Sequence, residues 1–174
     1  AATNYTFNTV IGATGYKGRS VANANAANDG ADNTSRVTVA QTGTYAITFT
    51  DFKDSGTGCY HLAHPTFVDQ TLTYAGGFHV KTGGAVSFRS RLGWAGAQQA
   101  ARVEISTNGG NTWESVFSQT GTGTAGETSF NTRNANLTAY VGKDVLLRFN
   151  YSVGSGGFPQ TDAGVGWYID TITF

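Results

Sequence analysis

Apolar residues in this chain recur with a period of two, and almost nowhere with the three- and four-residue spacing a helix needs to bury one face. Tyr45, Ile47 and Phe49 alternate with Thr44, Ala46 and Thr48, and Val86, Phe88, Ser90 and Leu92 alternate with Ser87, Arg89 and Arg91. Ala101, Val103 and Ile105 follow, then Trp113, Val116 and Phe117, then Val145, Leu147, Phe149, Tyr151 and Val153, and the chain ends on GWYIDTITF. Strand side chains point alternately to two faces, so each window predicts a half-buried strand. The Ala-rich run from Val21 to Ala27 is interrupted by asparagines and predicts a loop. Strands this short, separated by Gly, Asn, Asp and Ser clusters in a chain with 2 prolines, predict an all-β fold. Its expected form is an antiparallel β-sandwich of jelly-roll type, with residues 1–174 forming a single jelly-roll domain. A chain of 174 residues buries enough surface to fold without cross-links, and its one cysteine, Cys59, is expected to be a free thiol.

Charged residues make up 13% of the chain and cancel, while threonine and glycine are its most abundant residues. The surface is therefore rich in hydroxyls and amides. A neutral chain gains nothing from counterion release, which argues against nucleic acid and anionic membranes as partners. No apolar run approaches the length of a bilayer span. The neutral Thr, Asn and Gly composition without methionine resembles that of bacterial extracellular proteins, and predicts a secreted, monomeric module that is part of a larger secreted protein. The start at Ala1 is read as a removed leader or an excised domain.

Residues 12–35 and 154–165 are Gly-rich, polar and longer than a turn requires, which marks them as functional or unstructured. The segment STNGGNTW, Ser106 to Trp113, reads as a hairpin turn in which Asn108 accepts backbone N–H groups and Gly109 and Gly110 take positive φ. Its spacing resembles the Asp-box hairpin of sialidases and other secreted β-proteins, with Asn108 where Asp is usual. In that family the box is a folding device, so the resemblance implies an extracellular β fold rather than sialidase activity. The order AVSFRSRLGW, ARVEISTNGGNTWESVF, LTAYVGKDVLLRFNYSV, GVGWYIDTITF, over roughly residues 70 to 174, resembles the jelly-roll modules related to MAM domains. Those accompany secreted bacterial peptidases and polysaccharide-degrading enzymes or serve in adhesion. The cysteines of animal MAM domains are missing.

Alternation in the last strand puts Tyr168, Asp170, Ile172 and Phe174 on one face, and carries Asp170 inward with its apolar neighbours. A buried carboxylate needs donors, a partner or a cation. Similar jelly-roll carbohydrate-binding modules use an aspartate in the last strand as a structural calcium ligand, which implies calcium at Asp170, with Asp51 and further oxygens from Asp29, Asp32 and Asp54 as candidates. The alternative is that Asp170 caps backbone N–H groups or pairs with an arginine such as Arg148. His61 and His64 stand three apart, so on a strand they face opposite ways and do not form a zinc pair. Arg89, Arg91, Arg102 and Glu104 point outward; cross-strand pairing explains them, with an anionic glycan as the alternative. No paired carboxylates, nucleophile elbow, phosphate loop or HExxH appears, and the chain reads as non-catalytic.

Strand direction locates a candidate site. If 84–92 run up and 101–107 down, the loops after 92, at 120–126 and at 154–165 share one end. They carry Trp94, Gln98, Gln99, Glu127, Phe158, Gln160 and Asp162. An aromatic platform beside amides and a carboxylate suits a sugar ring, whose C–H face stacks while its hydroxyls bond to amides. Trp94, Gln98, Gln99, Phe158, Gln160 and Asp162 are thus the expected ligand-binding residues of a carbohydrate-binding accessory module with a polysaccharide or glycan partner. A MAM-like protein-interaction or adhesion module is the alternative.

Overall fold

The computed structural model describes residues 28–174, together with a short pairing of β1 (Asn4–Tyr5) with β2 (Val21–Ala22). The rest of the Ala-rich run to Ala27, and residues 12–20 of the first long Gly-rich stretch, lie outside the described residues. The strands that follow are β3 (Asn28–Asp29), β4 (Val37–Ala40), β5 (Thr48–Phe49), β6 (Cys59–Leu62), β7 (Gln70–Tyr74), β8 (Phe78–His79) and β9 (Ala85–Leu92). Then come β10 (Gln99–Ser106), β11 (Glu114–Thr120), β12 (Asn131–Asn136), β13 (Asp144–Val153) and β14 (Trp167–Thr173). One sheet runs β11-β10-β13-β7-β4, with β8 also against β13; the other runs β12-β9-β14-β6-β5, with β3 against β14. Strand pairing within both sheets is antiparallel, and the chain crosses repeatedly between them, as a jelly-roll β-sandwich does.

The windows at 86–92, 101–105 and 145–151 bury the faces expected of them, whereas Phe49 of the 45–49 window packs with His61 and Tyr168 on the outer face. Val86, Phe88 and Leu92 meet Val103, Ile105, Leu147, Phe149 and Trp167 between the sheets. Trp167 sits at the centre, 5.6 Å from Phe149 and 6.2 Å from Phe88 by ring centroids, and its indole N–H donates to Ser90 Oγ at 2.9 Å. Asp29 links the layers: its Oδ2 accepts the hydroxyls of Tyr60 on β6 and Tyr74 on β7 at 3.0 and 2.9 Å. Burial and the adjacent carboxylate push both phenols upward, so they remain donors. Cys59 is a free, buried thiol whose pKa burial raises to about 12.

Two places depart from simple alternation. Strand β12, Asn131 to Asn136, is polar except for the buried Ala135 and forms because β9 offers it a complete ladder. In β14 the register shifts between Asp170 and Thr173, and Thr171 takes φ 45°. This bulge switches the strand's faces: Trp167, Ile169 and Ile172 enter the core, while Tyr168 and Asp170 lie on the outer face, opposite Arg91 and Arg89. Asp170 is therefore not carried between the sheets with Ile172, as unbroken alternation requires. The segment 50–57 folds over it and buries it on the outside.

The 106–113 turn is built largely from its own side chains. Ser106 Oγ accepts Gly110 N–H at 2.8 Å and Asn108 Oδ1 accepts Thr112 N–H at 2.9 Å, with Gly109 and Gly110 at φ 71° and 92°. The Arg148 guanidinium lies 4.2 Å over the Trp113 ring. Gly110→Val puts a β-branched residue at positive φ and is expected to lower stability by roughly 1–3 kcal/mol. Thermal melting checks this, and a ligand measured alongside keeps its affinity for the folded fraction.

Candidate functional site

Three connections converge at the end where β9, β11 and β13 finish. Trp94 N–H donates to Gly164 O at 2.8 Å and Trp94 O accepts from Gly166 N–H at 2.9 Å. Gly123 N–H reaches Ala95 O at 2.8 Å, and Gly154 N–H reaches Gln98 O at 2.7 Å. These bonds need a closeness that glycine permits: a Cβ on Gly93 would sit 2.2 Å from Gly164 O, and one on Gly126 1.9 Å from Gly93 O. Glu127 adds a side-chain tie, with Oε2 accepting Leu92 N–H at 2.7 Å and Oε1 accepting Gln119 and Arg133.

On this frame the half-buried Trp94 meets Phe158 edge to face, centroids 5.5 Å apart at 74°, and Phe158 is 55% exposed. Gln98 and Asp162 are exposed nearby, and Gln160 Nε2 donates to Asp162 Oδ2 at 2.9 Å. Gln99 differs from expectation. It is buried, its Oε1 accepting Gly96 N–H at 2.8 Å and its Nε2 facing His64 Nδ1 at 2.8 Å and Phe158 O at 3.3 Å. It starts β10 and points inward, so it holds the loop and does not face a ligand.

A fourth connection, residues 63–69, belongs to the same end, and counting strand reversals from residue 84 onward does not reach it. β6 runs antiparallel to β14, as β9 does, so both finish here, and His64 bridges to Gln160. Phe67 and Val68 are 59% and 49% exposed. Their signal in the sequence is two apolar residues inside a polar turn, TFVDQ.

The two histidines do face opposite ways. His61 stacks on Tyr168 at 4.3 Å on the outer face, with Phe49 beside both rings, and its Nε2 donates to Val165 O at 2.8 Å. His64 stacks on Tyr151 at 4.1 Å and donates Nε2–H to Tyr151 O, leaving Nδ1 to accept from Gln99. Both rings therefore help hold the 154–166 connection while neutral.

Calcium at Asp170 does not fit this arrangement. Oδ2 accepts Asp54 and Ser55 N–H at 2.7 and 3.0 Å, and Oδ1 accepts Thr171 N–H at 2.6 Å with the Ser55 and Thr171 hydroxyls near it. Donors occupy the positions a cation would take, which is the capping alternative. Arg148 pairs instead with Glu104. Asp51 is exposed, with Thr50 Oγ1 3.4 Å from its Oδ1. Asp29 and Asp32 are likewise taken up by donors, and no group of three or more His, Cys, Asp or Glu side chains suited to a metal gathers among the described residues.

The sequence matches no protein-family description and no curated protein. Solved structures do resemble the fold. The K2 cleaved adhesin domain of Lys-gingipain aligns with a TM-score of 0.51 at 15% identity, over 100% of this chain and 99% of that one. The structure of the glycoside hydrolase domain of Endo-D from Streptococcus pneumoniae aligns with a TM-score of 0.50 at 12% identity, over 79% of this chain but 21% of its own. The K1 cleaved adhesin domain from Porphyromonas gingivalis aligns with a TM-score of 0.47 at 15% identity, over 66% of this chain and 72% of that one. What this chain shares with the first two is the β-sandwich.

Burial lowers the pKa of His61 to about 4 and depresses that of His64. The unfolded chain then binds protons first, so the histidine contribution is complete above pH ~6.5 and is lost as pH falls toward 4. For His61 the loss is on the order of 3 kcal/mol. Melting temperature measured from pH 8 to pH 4 is expected to fall within that window, and His61→Gln to flatten part of the fall.

Proposed function

We propose that this protein is a carbohydrate-binding module of a secreted protein, taking a polysaccharide at the loop end and having no turnover of its own. The observation that carries this reading is the Trp94–Phe158 pair, held on hydrogen-bonded backbone and open to solvent on the Phe158 side. An exposed ring offers a sugar's C–H face a stacking surface, and Gln98, Gln160 and Asp162 supply donors and acceptors for hydroxyls around it. The backbone ties mean that little ordering is left to do on binding.

Lack of turnover rests on how the acidic side chains are used. Glu127 and Glu104 are both fixed in ion pairs, and Asp162 has Gln160 beside it. Among the described residues, the loop end does not supply the two free carboxylates that glycoside hydrolysis uses. The secreted setting rests on composition.

One observation favours the adhesion reading. Phe67, Val68 and Phe158 are three of the four large apolar residues most exposed among the described residues, and all lie on connections at this end. Such a patch also suits a protein partner.

Trp94→Ala is expected to weaken polysaccharide binding by about 1–3 kcal/mol with the fold intact, and Phe158→Ala by a similar amount. Affinity for a neutral glycan should change little with salt, since few charges take part. Affinity electrophoresis against plant, algal and host glycans is the test. Retardation by none of them, together with capture of a defined protein that Phe67→Ser abolishes, would transfer the assignment to adhesion.

A further inference from the structure

Six arginines lie among the described residues, and five are engaged. Arg36 donates to Asn28 O, and Arg89 pairs with Asp54 at 2.8 Å. Arg91 donates to Glu127 O at 3.0 Å and lies 4.0 Å over Phe52. Arg133 pairs with Glu127, and Arg148 pairs with Glu104 and covers Trp113. Arg102 differs: half-buried on the outer face of the first sheet, it has no hydrogen bond, ion pair or ring contact among the described residues.

The acidic groups on that face are already spent. Asp69 accepts Asn150 Nδ2 at 3.1 Å and Val153 N–H at 3.0 Å, while Glu104 accepts Arg148 and Asn150. Asn150, the register neighbour of Arg102 on β13, is 2% exposed and keeps Oδ1 without a partner. Arg102 does not use even that acceptor.

The row above Arg102, toward the loop end, is Thr120, Ala100 and Ser152. Side chains this short leave the sheet surface recessed. The result is a hollow of about 330 Å³ with Arg102, Asp69 and Gln98 among its lining residues. Gln98 also belongs to the loop end, so the hollow continues the proposed binding surface over the rim and onto the sheet. Of the charges lining it, only the Arg102 guanidinium lacks a partner among the described residues.

We infer that this hollow receives the carboxylate of an acidic sugar unit, a uronate, in a polysaccharide that runs from the loop end onto the sheet. The inference rests on the glycan-binding reading of the loop end. A guanidinium presents paired N–H groups in one plane, which match the two oxygens of a carboxylate, and it forms the stronger, charge-assisted kind of hydrogen bond. Gln98, Ser152 and Thr120 provide polar atoms for the hydroxyls of the same ring. A neutral sugar would leave the charge without a partner, as it is now among the described residues.

The test compares polygalacturonate, sulfated carrageenan without carboxylates, and neutral galactan by affinity electrophoresis and calorimetry, on the parent protein and on Arg102→Gln and Arg102→Lys. The expected result is that polygalacturonate binds the parent, that binding weakens as salt rises, and that R102Q loses about tenfold, the order of one charge-assisted bond. R102K should retain part of the affinity, because the charge stays while the planar fork is lost. Since Arg102 holds no other described side chain, R102Q should melt at the parent's temperature, and its affinity for galactan should be unchanged. Equal polygalacturonate binding by R102Q overturns the inference, and preference for carrageenan overturns the carboxylate. Galactan binding without polygalacturonate binding removes this site and leaves the loop-end reading standing. Binding of none of the three overturns both.

Discussion

The loop end of this molecule depends on backbone packed against backbone at Gly93. The carbonyl of Gly93 faces Gly126, and the carbonyl of Gly164 faces Gly93, at distances that leave no room for a Cβ. A flexible side chain can swing away from an intruding methyl group, but a carbonyl moves only with its strand. Three connections are therefore locked in register with one another, and Trp94 follows directly on the residue where they meet. Its ring orientation is a consequence of that contact, and Phe158 is held against it through Gln99 and His64.

A second constraint shapes the rest. The buried carboxylates are satisfied by close neighbours: Asp29 by two tyrosines, Asp170 by the backbone of a covering segment, Glu104 by Arg148 and Asn150. In a chain with few charges, most of the charges among the described residues are thereby committed to structure. Against that background a guanidinium at Arg102 without a partner among the described residues stands out chemically.

Several acidic and histidine side chains serve here as ties. His61 and His64 each give a ring nitrogen to a carbonyl and a ring face to a tyrosine, and Glu127 fastens one loop to β9. The elements they fasten carry the exposed rings. Exposed rings and the buried side chains that position them are thus distinct sets at this end, adjacent in space and different in burial.

Period-two patterning is enough to establish the sandwich, because a strand with one wet face must alternate, and the windows at 86–92, 101–105 and 145–151 do so. Strand direction then follows from counting reversals, which places Trp94, Phe158 and Asp162 at one end without reference to any contact. Alternation does not reveal β12, whose polar residues are ordered by β9 rather than by their own burial. Nor does it reveal the bulge at Thr171, where one extra residue reverses the faces and sends Asp170 outward under the 50–57 segment. The inward turn of Gln99, the exposure of Phe67 and the lack of a partner for Arg102 among the described residues are likewise beyond it. Local sequence dictates which way the chain alternates, since that depends on each residue's neighbours in the strand. Which side chains find partners depends on segments far apart in the chain, and only their packing decides it.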